Sequence, residues 1–171
     1  HIVECSMAQS QAGQGVAAVG LTLAMGAVVG TALLFQHVGG YMPCALCLEQ
    51  RTPYYIGLGV GIATIVAVSV RLPQAIIRGL FALIGILMLW TLALGAYHAG
   101  VEWGFWAGPA DCAAGAAMDL TGDLLSSLDA VRPPSCGEAA LRVLGLSMAG
   151  WNVIAAAILA FAALRTALRR G

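Results

Sequence analysis

Four long apolar stretches, separated by shorter polar segments, dominate the chain. They cover about 16–35, 54–70, 76–97 and 146–164, and none has an acidic residue in its interior. A membrane span needs about 20 apolar residues, with a range of roughly 17–25. Because a spanning backbone must satisfy its own hydrogen bonds, each stretch is predicted to be a helix. The pattern predicts an all-α integral membrane four-helix bundle that forms a single domain over residues 1–171.

The composition agrees with a chain dissolved in lipid. Hydrophobic residues make up 60% of the sequence and charged residues only 9%, against about 25% charged residues in a typical soluble domain. The net charge is zero and the chain has no lysine, so charge gives no support to nucleic-acid binding. The first apolar stretch lacks a basic segment before it and is long enough to span, which predicts a retained helix rather than a cleaved signal.

The residues that precede Met7 differ in character from the rest of the chain. The position of Met7 supports the hypothesis that residues 1–6 are a remnant of cloning, in which case Cys5 has no role. Four cysteines then remain, an even number that suits two disulfides.

The arginines are distributed unevenly between the two ends of the predicted bundle. Five lie on the side of the termini and three on the side of the longer loops. The five are Arg71, Arg78, Arg165, Arg169 and Arg170, and the three are Arg51, Arg132 and Arg142. Because positive charge favours the cytoplasm, both termini are predicted to be cytoplasmic. The loops 36–51 and 99–144 then face the opposite, oxidising side, where disulfides persist.

The second of these loops has a helical pattern of its own. Between its cysteines, five apolar residues are interleaved with three aspartates at roughly helical spacing. The apolar residues are Met118, Leu120, Leu124, Leu125 and Leu128, and the acids are Asp119, Asp123 and Asp129. The pattern predicts a short amphipathic helix on the membrane surface, which Pro133 and Pro134 end.

The first loop contains the motif with the clearest chemistry. Residues 43–51 read Pro-Cys-Ala-Leu-Cys-Leu-Glu-Gln-Arg, and a Cys-x-x-Cys pair lowers the pKa of one cysteine and favours the thiolate. If the second helix begins near Cys47, its N-terminus adds positive potential there. Arg51 lies one turn further on, where it can face the Cys47 sulfur and stabilise a thiolate or a bound anion. Cys44 and Cys47 are therefore predicted to be redox-active.

Cys112 and Cys136 form the second candidate pair, 24 residues apart. Alone, this pair would be a structural staple of an exposed loop. Beside a redox-type Cys-x-x-Cys, exchange between the two disulfides is the better interpretation. A four-cysteine zinc site is disfavoured, because only one pair has the short spacing and the compartment is oxidising. Covalent haem is excluded at the motif, because Leu48 stands where histidine is required.

His98 and the electron acceptor complete the candidate site. His98 taken alone is an interfacial histidine bonded to backbone or water, and His37 keeps that interpretation. With Arg51 across the bundle, however, His98 could hydrogen-bond a carbonyl ligand or pass protons. The sequence has no G-x-G-x-x-G signature, and a lipid-soluble two-electron acceptor at Cys47 would suffice. A quinone fits that description, and no metal is predicted.

Together these motifs resemble one membrane protein family. The 43–51 motif after a first span, Tyr97-His98 closing the third and a cysteine pair in the second outer loop are part of the resemblance. The fourth span opens with Gly-Leu-Ser-Met-Ala-Gly-Trp-Asn at 145–152. The chain thus resembles the DsbB family of bacterial disulfide-forming oxidoreductases over about 16–164.

The resemblance implies a route for electrons in the bacterial inner membrane. A reduced periplasmic thioredoxin-like partner of the DsbA type would attack Cys112, and the freed Cys136 would attack Cys44. Cys47, released as the thiolate, would contact a quinone, with Arg51 and His98 near the ring. Ubiquinone is the usual acceptor and menaquinone the alternative.

Two other interpretations remain open at this point. A reductase similar to vitamin K epoxide reductase also pairs a membrane Cys-x-x-Cys with loop cysteines, although its Cys-x-x-Cys comes after the loop pair. A non-enzymatic four-span protein with static loop disulfides is the third, and it leaves the placement of Arg51 unexplained.

Overall fold

A computed structural model describes residues 2–110, 112 and 135–169, with the description of residues 2–10 limited to the backbone. In this part of the chain four helices form the fold. They are α1 (Ile2–His37), α2 (Ala45–Ser69), α3 (Gln74–Glu102) and α4 (Met148–Leu168). Two short strands, β1 (Arg142–Val143) and β2 (Leu146–Ser147), pair antiparallel just before α4.

All four helices have the length and composition of membrane spans. Their apolar parts are Gln11–His37 and the whole of α2, α3 and α4, with mean hydropathies between 1.4 and 2.2. The prediction of an all-α four-helix membrane bundle is thus confirmed. The amphipathic helix predicted around 118–129 lies outside the described residues.

Helix α2 begins at Ala45, nine residues before the apolar stretch that starts near 54. Its N-cap is Cys44, whose sulfur accepts a hydrogen bond from the backbone N–H of Cys47 at 3.3 Å. The cap satisfies one of the free N–H groups of the first turn. The helix therefore carries Cys47 and Arg51 on its first two turns, as the motif required.

A tight hairpin leads into α4. Leu144 and Gly145 join β1 to β2 with φ of 54° and 83°, and such a pair of left-handed residues suits a two-residue hairpin turn. The Trp151 indole N–H donates to the Val143 carbonyl at 2.9 Å and ties the hairpin to α4. Ser147 then caps α4 by accepting from the backbone N–H of Gly150 at 3.2 Å.

Helix α3 is at the centre of the bundle and packs most extensively against α4 and α2, and α1 packs against α2 and α4. Small residues allow the close approach, as is common between membrane helices. A Cβ on Gly57 would lie 2.8 Å from the Met25 sulfur, and one on Gly85 would lie 2.6 Å from Leu164 Cγ. The core therefore depends on glycines at the helix crossings.

Polar contacts link the helices to one another at the end of the bundle where most of the described arginines lie. Arg78 Nε donates to the Ala167 carbonyl at 2.7 Å, at the C-terminal end of α4. Gln14 Nε2 donates to Gln74 Oε1 at 2.9 Å and links α1 to the start of α3. Cys44, Cys112 and Cys136 cluster at the opposite end, near the start of α2, so the described arginines of the terminal side and the cysteines lie at two ends of one bundle.

The contact between Gly85 and Leu164 predicts a specific loss of stability. Gly85→Val should lower the free energy of unfolding by about 1–3 kcal/mol, because the added carbons overpack the α3–α4 crossing. Thermal unfolding in detergent is the measurement. Gly79→Val is the matched control in the same helix, since nothing lies within 4 Å of its Cβ position. Equal melting temperatures for the two variants would contradict this packing.

Candidate active site

The structure brings the two cysteine pairs into one buried cluster. Cys44, Cys112 and Cys136 are all less than 10% exposed, and they pack with Leu46 and Val101. Cys47 is partly buried and packs against the same cluster. Segments that are far apart in sequence thus meet at one end of the bundle, which is a necessary condition for exchange between them.

The two pairs differ in their bonding. Cys112 and Cys136 are joined by a disulfide, with their Cα atoms 5.4 Å apart. Cys44 and Cys47 are free thiols whose sulfurs lie 2.8 Å apart, within hydrogen-bonding distance. The structure therefore represents a chain with an oxidised loop pair and a reduced Cys-x-x-Cys.

In this reduced pair the negative charge belongs on Cys44. The hydrogen bond from the Cys47 thiol, helped by His98 and by the Cys47 backbone N–H, lowers the pKa of Cys44 from 9.0 to about 4 and outweighs the opposing effect of burial. Cys44 at the N-cap also receives the positive potential of the α2 N-terminus. The route implied by the family resemblance expects a thiolate on Cys47 after Cys44 is attacked, which is a different state from this dithiol pair.

His98 lies inside the protein and in contact with the cysteines. Its side chain is 3% exposed, and its Nε2 atom is 3.7 Å from Cys44 Sγ and 3.7 Å from Glu102 Oε1. Its Nδ1 atom lies 2.8 Å from the Gln50 amide nitrogen. His98 is therefore not the interfacial histidine, bonded to backbone or water, that the residue alone suggested.

Gln50 sets the tautomer of His98. The Gln50 nitrogen also donates to the Leu46 carbonyl at 3.2 Å, and its oxygen accepts from Asn152 Nδ2 at 2.7 Å. Since a backbone carbonyl can only accept, the amide nitrogen must face both Leu46 and His98. Nδ1 of a neutral His98 then accepts, and the proton lies on Nε2, which faces Cys44.

A buried polar network continues from Gln50 through the bundle. The Tyr54 hydroxyl donates to Asn152 Oδ1 at 2.8 Å, and the Thr91 hydroxyl donates to the Gln50 carbonyl at 2.8 Å. A Cβ on Gly95 would lie 3.1 Å from Asn152 Nδ2, so the helix passes the network in close contact at this glycine. Sequence reasoning missed these residues, although a polar side chain on an otherwise apolar membrane helix is itself a signal.

Arg51 lines the same cavity as Cys47. Its guanidinium donates to Gln36 Oε1 at 2.6 Å, so the hydrogen bond goes to the end of α1 rather than to a sulfur. This contact holds the positive charge beside the Cys-x-x-Cys without neutralising it.

All four helices line a cavity of about 570 Å³ beside the cysteines. Its polar end includes Cys44, Cys47, Arg51, His98 and Glu102, and the facing wall of α1 contributes mostly small and apolar side chains from Ala27 to Phe35. Such a volume is typical of a small-molecule site, where apolar walls surround a few polar groups. The cavity suits a largely apolar small molecule with a few polar atoms.

Three of these residues also have the spacing of metal ligands. The sulfurs of Cys44 and Cys47 and a ring nitrogen of His98 lie within 4.8 Å of one another, and such donors suit zinc. A metal at Nε2 would require that nitrogen to lose its proton, against the tautomer set by Gln50. The four-thiolate site weighed from the sequence is not formed, because Cys112 and Cys136 are bonded to each other.

Comparison with known proteins agrees with this geometry. The family model described as "Disulfide bond formation protein DsbB" matches residues 14–166. The chain belongs to the DsbB family. This confirms the resemblance seen in the motifs, and DsbB membership makes the protein a disulfide-generating membrane oxidoreductase.

Two relatives of this DsbB chain illustrate the range of similarity. The uncharacterized protein RP370 of Rickettsia prowazekii is 28% identical over 131 residues, which cover 72% of this chain and 70% of that protein. Disulfide bond formation protein B of Cupriavidus necator is 35% identical over 71 residues, which cover 42% of this chain and 40% of that protein. No solved structure matches the chain significantly.

The hydrogen bond between the two thiols predicts a pH profile for Cys44. Alkylation of Cys44 in the reduced protein should stay fast from neutral pH downwards and fall only near pH 4, because the thiolate persists until its lowered pKa is reached. Cys47→Ala should raise that pKa, since it removes the largest cause of the shift. Mass spectrometry of the Cys44 peptide resolves the rate at each pH.

Leu48→Ala is the control for this measurement, because Leu48 is exposed and its side chain takes no part in the thiol contact. The assignment fails if Cys47→Ala and Leu48→Ala give the same profile for Cys44.

Proposed function

We propose that this DsbB-family protein is a quinone-coupled thiol oxidase that reoxidises a periplasmic dithiol partner of the DsbA type. The observation that carries the proposal is the single buried cluster of both cysteine pairs beside a cavity of about 570 Å³. One pair can exchange with a soluble protein and the other can pass electrons into the membrane.

Cys112 and Cys136 form the entrance in this scheme. The partner's thiolate attacks Cys112, and the freed Cys136 attacks Cys44, so each step is a thiol–disulfide exchange. Cys112 is 7% exposed and Cys136 only 1% exposed, which favours Cys112 as the sulfur that a partner reaches. Packing of Cys136 in the same cluster as Cys44 favours the second exchange.

Cys44 and Cys47 form the exit. A quinone in the cavity would accept the two electrons that the reduced pair releases when the Cys44–Cys47 disulfide forms. The Arg51 guanidinium has further N–H groups for the quinone's carbonyl oxygens, and His98 lines the same cavity beside Cys44. The largely apolar wall of α1 suits the rest of a lipid-soluble molecule, with ubiquinone as the usual acceptor and menaquinone as the alternative.

The charge distribution supports an orientation in the bacterial inner membrane. Arg71, Arg78, Arg165 and Arg169 lie at the end of the bundle away from the cysteines, and basic residues favour the cytoplasm. Both termini are then cytoplasmic and both cysteine loops periplasmic, the compartment in which a disulfide persists.

Cys47→Ser should abolish quinone reduction by a reduced dithiol partner, because the Cys44–Cys47 disulfide can no longer form. Quinone absorbance and thiol count are followed together after the reduced, purified protein is mixed with quinone. Cys5→Ser is the control and should keep the wild-type rate. Unchanged turnover in Cys47→Ser would sink the proposal.

Cys112→Ser should block oxidation of the partner while the Cys44–Cys47 disulfide still forms with quinone. The order of the relay predicts this separation, since Cys112 lies upstream of the exit pair. Gel-shift alkylation counts the thiols of each protein after the reaction. If the Cys44–Cys47 disulfide never forms in Cys112→Ser, the assigned order is wrong.

A further inference from the structure

Glu102 is a buried acid that the relay of cysteines does not use. It is the last residue of α3, one turn after His98, and its side chain is 3% exposed. Oε1 lies 3.7 Å from His98 Nε2, and Oε2 has no hydrogen-bond partner among the described residues. A buried carboxyl oxygen without a hydrogen-bond partner is uncommon in proteins, so Oε2 is the atom of Glu102 available to a ligand in the cavity.

Glu102 lines the same cavity as the cysteines. Other titratable groups along the cavity come from α2, from the loop before it and from the loop before α4. They are Cys44, Cys47, Arg51, Tyr54, Tyr41 and Glu138. Arg51 is held by Gln36. Of the two acids among the described cavity residues, Glu138 is exposed and Glu102 is buried.

His98 is badly placed to carry protons itself. A histidine that passes a proton must accept at one nitrogen and release from the other. Nδ1 already accepts from the Gln50 amide at 2.8 Å, and an imidazolium proton there would point at the amide's own N–H. His98 thus acts as a hydrogen-bond donor towards Cys44, and another group must hold the mobile proton.

We propose that Glu102 supplies one of the two protons that the quinone takes up, an inference that rests on the proposed function. Oxidation of the pair forms the Cys44–Cys47 S–S bond and breaks the Cys47 S–H and Glu102 O–H bonds. The two electrons and these two protons convert the quinone to the quinol. Glu102 then takes up a proton again when the partner's electrons return the pair to the dithiol.

The first test needs no quinone. Infrared difference spectra between the dithiol and disulfide states should show a protonated-carboxyl band that shifts in D₂O. The band should be present in the wild type and in Glu49→Gln, an exposed acid on the first turns of α2, and absent in Glu102→Gln. A wild type without the band, or a band that survives in Glu102→Gln, would overturn the assignment.

The second test measures quinone reduction by the reduced protein. Glu102→Gln should be slower by about 10²-fold, the usual contribution of a positioned proton donor, while Glu49→Gln keeps the wild-type rate. Glu102→Asp should recover part of the rate and retain a carboxyl band at a shifted frequency. That variant decides the matter if Glu102→Gln does not fold.

The outcomes separate this inference from the proposed function. A wild type that cannot reduce quinone overturns the proposed function, and the infrared measurement alone then judges whether Glu102 holds the proton. Glu102→Gln with the wild-type rate overturns the role of Glu102 and leaves quinone coupling intact.

Discussion

Polar groups inside a membrane bundle must find hydrogen-bond partners within the protein. The side-chain amide of Gln50 on α2 does so by contacting one residue of α3 and one of α4. Asn152 of α4 donates to its oxygen, and its nitrogen faces His98 of α3. Lipid offers no substitute for these contacts. The network therefore fixes how α2, α3 and α4 meet, and it holds the imidazole against Cys44.

Everything reactive in the protein depends on that placement. A thiolate in an apolar cluster needs donors, and Cys44 has them from the Cys47 thiol, the Cys47 backbone and His98. Burial excludes water from the sulfurs, which strengthens each remaining electrostatic contact. The same burial makes the loop disulfide part of the bundle rather than a staple on its surface, since Cys112 and Cys136 pack with Cys44.

The cavity beside the cysteines has a polar part and an apolar part, which suit the aqueous side and the lipid interior of a membrane respectively. Its polar end meets the Cys-x-x-Cys, and its α1 wall is suited to hydrocarbon. In the proposed function, electrons from a water-soluble partner would have a short path to a lipid-soluble acceptor, and Glu102 and Arg51 would supply a proton site and a positive charge beside it.

The sequence by itself determined the four spans, the charge asymmetry, the redox motif and the family, because hydrophobic length and cysteine spacing are local properties. It placed a start of α2 near Cys47 only as a condition, and the cap at Cys44 that begins the helix at Ala45 is a side-chain contact in a polar stretch. Only the tertiary structure joined Gln50 to Asn152 and to His98, or assigned the thiolate of the dithiol state to Cys44. Those pairings cross between helices or depend on which sulfur has more donors, and neither property is encoded in a spacing along the chain.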